Sequence, residues 1–272
     1  MPLKTLMKFD IVDDFSLKNT LECGQCFRWN EDSEGSFWGI AGERYAKITQ
    51  VDKALFVEEF GKESNPSFWQ KYFSLDEDYR IIESKLKKSS ILKAAYEFSS
   101  GIRILKQDPW ETLISFIISQ NNNIKRIKGI INRLSELAGT EICDSVYAFP
   151  RPDQLIKLGI EDLKSIGSGF RARYISSAAK LVTEGVVDLQ SLDSMSDETA
   201  LSVLMKIDGV GPKVGACVLL YGMGRKAQAP VDVWIKRGLL RYFPNGWPAE
   251  IKGIEGVAQQ YLYNYLRMSK NS

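Results

Sequence analysis

The chain has 272 residues, 44% hydrophobic and 26% charged, the balance of a soluble globular protein of one or two domains. It carries no histidine, which removes the usual general base and excludes serine or cysteine nucleophile schemes that need one. Net charge is only +2, yet residues 1–100 sum to −3 and residues 101–272 to +5, a mild pointer to a polyanionic partner for the second part.

No apolar run approaches the ~20 residues of a membrane span, and the N-terminal MPLKTLMKFDIVDDF lacks the layout of a signal peptide. No membrane association is expected, and the cytoplasm is the default location. Cys23, Cys26, Cys143 and Cys217 are too few and too scattered for a disulfide framework. Cys23 and Cys26 make a CxxC, but with no second pair and no histidine a four-ligand zinc site is hard to assemble.

The first elements alternate apolar and polar positions, in FRWNEDSEGSFWGIAGERYAKITQ and then ALFVEEF. Trp29, Phe37, Trp38, Tyr45, Ile48, Leu55, Phe56 and Val57 suit half-buried strands, and EDSEGS suits a hairpin connection. Residues 1–85 are therefore expected to form a small antiparallel β-sheet. From about Asp76 the period turns helical and no alternation of similar strength returns. Asp108 and Pro109 open a helix through WETLISFIISQ. Past three asparagines, Ile124, Ile127, Ile131 and Leu134 recur at helical spacing. RPDQLIKLG, EDLKSIG and FRARYISSAAKLVTEG read as shorter helices, and SDETALSVLMKI as one with a serine cap. VDVWIKRGLLRYF and GIEGVAQQYLYNYLRM close the chain. The expected class is α+β, with the sheet at 1–85 packed on a helical core at 86–272 as one body.

Between the last of the serine-capped helix and the next comes GVGPKVGACVLLYG. A phosphate-binding P-loop needs GxxxxGK before Ser or Thr, but Lys213 precedes Val214 after too short a loop. A dinucleotide fingerprint needs a preceding strand, whereas ETALSVLMKI has helical period. What remains is a helix–hairpin–helix at about 198–222. Gly209 and Gly211 would allow a tight turn with positive backbone angles and leave N–H groups free to hold a DNA phosphate. A plain loop between two core helices is the competing reading. Lys213 could hold a phosphate, face solvent or, as a neutral amine among apolar neighbours, attack carbon and form a Schiff base. Asp232, after Pro230, suits a helix N-cap.

GVGPKVGACVLLYG followed by QAPVDVWIKR resembles the helix–hairpin–helix, Gly/Pro…Asp signature of the DNA base-excision glycosylases. ECGQCFRW, SQNNNIKRI and GSGFRARYI resemble the 8-oxoguanine DNA glycosylases in particular, in the same order from about residue 8 to 268. The resemblance implies a bifunctional enzyme acting on double-stranded DNA, expected as a monomer. The damaged nucleotide would be flipped from the duplex. Lys213 would attack the sugar C1′ as the base leaves, with Asp232 helping to deprotonate the amine and stabilising charge on the sugar. β-Elimination would then break the strand on the 3′ side. No metal or organic cofactor is needed, and an iron–sulfur cluster would need cysteines beyond Cys217, where there are none. Such an enzyme would work on nucleoid DNA in a prokaryote and in the nucleus of a eukaryote.

The resemblance also assigns recognition. The Gly24 carbonyl would accept a hydrogen bond from N7 of 8-oxoguanine and repel guanine, which lacks that hydrogen. Cys217 would stack on one face of the base, Tyr263 on the other, and Gln259 would bond its Watson–Crick edge. Asn121 would fill the space left by the flipped base, Arg126 and Arg171 would bond the widowed cytosine, and Phe170 would wedge the stack. Each has a plainer alternative: a turn glycine, a small buried thiol, a core tyrosine, a solvated arginine. Tyr263 and Phe170 stand where the family more often has phenylalanine and tyrosine. Trp234 and Leu266 replace a histidine and its acidic partner of animal members, which puts the contacts to the lesion's 5′ phosphate in doubt. A related glycosylase for alkylated purines or oxidised pyrimidines, and a noncatalytic DNA-binding module, are the rival readings. Gly24 and Gln259 argue against the first, Lys213 with Asp232 against the second.

Overall fold

The computed structural model describes residues 4–61 and 63–268. Five strands, β1 Lys4–Asp10, β2 Trp29–Glu31, β3 Phe37–Ala41, β4 Arg44–Val51 and β5 Ala54–Phe60, form an antiparallel sheet in the order β1-β5-β4-β3-β2. The alternation seen in the sequence sets which face is covered. Phe37, Ala41, Ala46, Ile48, Leu55 and Val57 are buried, and with Trp29, Trp69 and Phe73 they make one hydrophobic cluster. Glu59 shares that face, fully buried, and is satisfied by Arg44 and by the Trp69 indole, whose Nε1 donates at 2.9 Å.

Helices begin earlier than the period suggests. A short α1 (Leu17–Glu22) lies between the first two strands, and α2 (Pro66–Tyr72) starts ten residues before Asp76. Its N-cap is Asn65, whose side chain accepts from Phe68 N, with Pro66 in the first helical position. The chain continues through α3 (Tyr79–Leu86), α4 (Ser90–Phe98), α5 (Pro109–Ser119) and α6 (Ile124–Ala138). A two-stranded ribbon of β6 (Glu141–Cys143) and β7 (Val146–Tyr147), absent from the sequence reading, precedes α7 (Pro152–Leu155), α8 (Ile160–Ser165) and α9 (Arg171–Thr183). The last helices are α10 (Asp197–Leu204), α11 (Pro212–Cys217), α12 (Val233–Tyr242) and α13 (Glu255–Met268). The architecture is the α+β one expected, an antiparallel sheet against a mainly helical body.

The second hydrophobic cluster, centred on α5, α6, α9 and α13, takes in Cys23 and Phe27 from the loop after α1. In return, Leu105 joins the cluster under the sheet. Between them Arg103, 1% exposed, pairs with Asp13 and donates to the Ser74 and Glu77 carbonyls, its guanidinium 4.4 Å from the Tyr79 ring centroid. No helix among the described residues is long and apolar enough to cross a membrane.

Candidate active site

The hairpin between α10 and α11 begins the site. Gly209 has φ +77°, and a Cβ there would lie 2.4 Å from the Tyr174 ring, so only glycine fits. Gly211 departs from the expectation: it caps α11 with φ −98° and ψ −177°, an extended backbone. The cause is Pro212, since the residue before a proline is steered away from helical and left-handed angles. The turn therefore draws on one positive angle rather than two.

Lys213 is the second residue of α11, and its Nζ sits 5.0 Å from the Phe116 ring centroid. Cys217 and Tyr221 follow at intervals of four, which keeps all three on one side of the coil. After Cys217 the helix widens into a π turn at Val218–Gly222, a distortion often found where a helix serves a site. Tyr221 stacks on Phe116, centroids 5.4 Å apart and rings 18° from parallel. Burial pushes the Cys217 thiol up to about 11, against the opposing pull of the neighbouring Lys213. The thiol is therefore a small apolar wall rather than a nucleophile.

Asp232 caps α12, its Oδ1 accepting from Ile235 N at 2.8 Å. The cap fixes the carboxylate at the rim of a cavity of about 60 Å³ that Lys213, Cys217, Gly24, Gln259 and Tyr263 also line. All six residues assigned to catalysis and base recognition thus meet in one place. Gln259 is 4% exposed, and its Oε1 is buried without a hydrogen-bond partner. An orphaned amide oxygen on a cavity wall costs energy until a donor arrives. Gly24 has φ +88°, and a Cβ built on it would be 3.8 Å from the Tyr263 ring. The loop carrying it is pinned: Gln25 Nε2 donates to the Thr20 and Arg103 carbonyls, and its Oε1 accepts from Leu105 N.

The residues expected to meet the opposite strand form a second group. Asn121 is exposed with φ +50°, between the end of α5 and Asn123, the N-cap of α6. Phe170 is 56% exposed and meets Tyr174 edge-on, which links it to the Gly209 turn. Arg126 donates to the Gly167 carbonyl at 3.3 Å. Arg171 differs from the free donor expected. It is 2% exposed, and its guanidinium donates to the carbonyls of Gln120, Asn121 and Ser168. Burial, and next the nearby Arg126, lower its pKa from the ordinary arginine value. Leu266, half-buried, packs against the helical core.

Sequence reasoning did not single out Phe116, Tyr221 or Gln260, and it noted Cys23 only as half of a CxxC and Pro230 only as the residue leading to Asp232; together these five complete the cavity wall. Phe116 and Tyr221 lie in apolar helices where nothing marks them off from core. Gln260 carried a signal, a second buried-side glutamine in succession, that the pattern VAQQYL holds openly.

Residues 9–113 match the family model of the 8-oxoguanine DNA glycosylase N-terminal domain, and residues 114–255 that of the HhH-GPD superfamily base excision DNA repair protein. An N-glycosylase/DNA lyase of Saccharomyces cerevisiae is 34% identical over 252 residues, 82% of this chain and 67% of that protein. The solved structure of MBOgg1 with a low-affinity DNA ligand superposes with a TM-score of 0.89 at 39% identity, covering 98% of this chain and 96% of that one. The 8-oxoguanine glycosylase/lyase of Clostridium acetobutylicum, solved with duplex DNA bearing cytosine opposite 8-oxoguanine, gives 0.88 at 34% identity over 97% and 98%.

Proposed function

The chain belongs to the HhH-GPD superfamily of base excision DNA repair proteins, and from that premise we propose that it removes 8-oxoguanine opposite cytosine from duplex DNA and then cuts the strand. Its class of activity is that of an N-glycosylase and DNA lyase. It acts as a monomer on double-stranded DNA, with the damaged nucleotide turned out of the helix.

The observation that carries this reading is the meeting of Lys213, Asp232, Gly24 and the unpartnered Gln259 amide on one cavity. The Lys213 amine forms a bond to C1′ while the glycosidic bond breaks, its electron pair leaving with the base. Asp232 takes up the amine's proton and faces the positive charge that develops on the sugar. The aminal so formed opens its sugar ring: the C1′–O4′ bond breaks, O4′ takes up a proton, and C1′ becomes the carbon of an imine to Lys213. Loss of a proton from C2′ of that imine then expels the 3′ oxygen, and the strand is cut. The Gly24 carbonyl accepts the N7 hydrogen that 8-oxoguanine has and guanine lacks, an exchange of attraction for repulsion at one atom. Gln259 meets the Watson–Crick edge, Cys217 and Tyr263 the two faces. Asn121, Phe170, Arg126 and Arg171 occupy the gap and read the widowed cytosine, and the hairpin amides at Gly209 and Gly211 hold a phosphate.

Borohydride added during turnover of an 8-oxoguanine:cytosine duplex should trap a covalent protein–DNA adduct, and Lys213→Gln should abolish it. A glutamine variant that traps as much adduct as the unaltered protein removes Lys213 from the role. Single-turnover excision across duplexes that differ only in the damaged base or its partner tests the substrate. Faster release of an alkylated purine than of 8-oxoguanine would assign the chain elsewhere in the superfamily.

A further inference from the structure

Two consecutive glutamines on α13 are treated differently by the fold. Gln259 leaves its amide oxygen to the cavity, whereas Gln260, 1% exposed, spends its amide internally. Gln260 Nε2 donates to the Cys23 carbonyl at 2.8 Å, and its Oε1 accepts from the Tyr221 hydroxyl at 2.5 Å. The direction of this relay is forced. A backbone carbonyl can only accept, so the amide must turn its NH₂ to Cys23, and the oxygen it then presents to Tyr221 requires that hydroxyl to donate. Tyr221 in turn lies flat on Phe116, the ring beneath Lys213. One continuous path joins the lysine to the peptide that precedes Gly24.

Packing does not account for a buried amide here, because an apolar residue of the same size would fill the space without its desolvation cost. What the amide supplies is position. At φ +88° Gly24 sits where glycine turns freely, so its carbonyl points in a fixed direction only if the peptides on both sides are held. Gln25 holds the following side, by its own amide and by accepting from Gln107 Nε2 at 2.8 Å. Gln260 holds the preceding one.

We infer that Gln260, aligned by Tyr221, is a positioning residue that aims the Gly24 carbonyl and so sets the discrimination of 8-oxoguanine from guanine. This role rests on the proposed substrate. It belongs to base recognition, not to the lysine chemistry, and the two can be read apart by comparing an 8-oxoguanine:cytosine duplex with one bearing a preformed abasic site.

Gln260→Leu should lower kcat/KM for base excision by about tenfold and narrow the gap in affinity between 8-oxoguanine and guanine duplexes. Cleavage of the abasic duplex should fall by less than about threefold. Tyr221→Phe, which keeps the ring stack, should lose about threefold in excision. Gln260→Glu supplies the signature that mere packing would not. A protonated carboxyl can donate to Cys23 and accept from Tyr221, so its excision rate relative to the unaltered protein should climb as pH falls from about 8 to about 6. Equal losses on the two duplexes, or a flat pH ratio for Gln260→Glu, would overturn the role. If Gln260→Leu does not fold, the other two variants decide. An unaltered protein that leaves 8-oxoguanine in place overturns the proposed substrate and this role with it. One that excises it no faster than Gln260→Leu does overturns the relay alone.

Discussion

On the proposed mechanism Asp232 combines a structural and a chemical task in one carboxylate, and conservative substitution separates them. Asparagine caps a helix as well as aspartate does, so Asp232→Asn should leave thermal stability within about 0.5 kcal/mol, whereas Asp232→Ala should cost about 1 kcal/mol. Both should lose base excision in single-turnover assays, since neither offers a proton acceptor beside Lys213. An asparagine variant with undiminished excision would leave Asp232 as a cap and nothing more. At this scale the sequence was informative in proportion to chemical oddity. Lys213 after GVGP stands out because the mouth of an apolar helix seldom carries an ammonium group, whereas Asp232 after Pro230 reads as an ordinary N-cap and owed its chemical reading to the family resemblance. Phe116 and Tyr221 do not stand out, because an aromatic ring that supports a lysine is spelled no differently from one that fills a core. Arg171 was legible as a cation but not as a buried one, since its partners are main-chain carbonyls that no side-chain pattern announces.

At the scale of elements, α5 opens with a feature that titrates. Asp108 caps it, accepting from Glu111 N at 2.8 Å, and the Glu111 carboxyl lies half-buried in its first turn. Burial pushes that carboxyl from 4.5 up to about 7, with Arg28 opposing the rise and Asp108 adding to it. A folded-state value above the unfolded one means the folded protein holds this proton more tightly. The stability it contributes is complete below the unfolded value and is lost as pH climbs through about 7. Glu111→Gln should therefore flatten the fall in melting temperature between about pH 5 and pH 8, and be the more stable protein at the upper end. A variant whose melting curve tracks the unaltered one across that window would contradict this. Helix edges were readable where caps and prolines coincide, as at Asp108-Pro109. Strand β1 was not, because its burial alternates while its residue types do not: Thr5, Met7 and Phe9 turn inward, but the exposed Leu6 beside Met7 breaks the polar half of the pattern. The β6–β7 ribbon, five residues in all, is too short to carry a period.

Over the whole molecule, the two hydrophobic clusters exchange residues: Cys23 and Phe27 cross one way and Leu105 the other. Arg103 sits at that crossing with Asp13, which also accepts from Tyr79 N at 2.9 Å. Removing one member of a buried pair strands the other, so Asp13→Ala should cost about 3–5 kcal/mol, read as one shifted unfolding transition. Two separated transitions would mean that the sheet and helices melt independently. The balance of charge between the halves was visible in composition, but their interlocking was not, since it depends on contacts between residues some 80 positions apart in the chain. The same is true of Arg171, whose engagement with the Gln120 and Asn121 carbonyls has a kinetic meaning. On the proposed role of Arg171 in reading the orphaned pyrimidine, the guanidinium is a latch already fastened when the duplex arrives, and it would have to let go of those carbonyls first. Association should then show two phases in stopped-flow fluorescence, a fast encounter that scales with DNA concentration and a slower unlatching that does not.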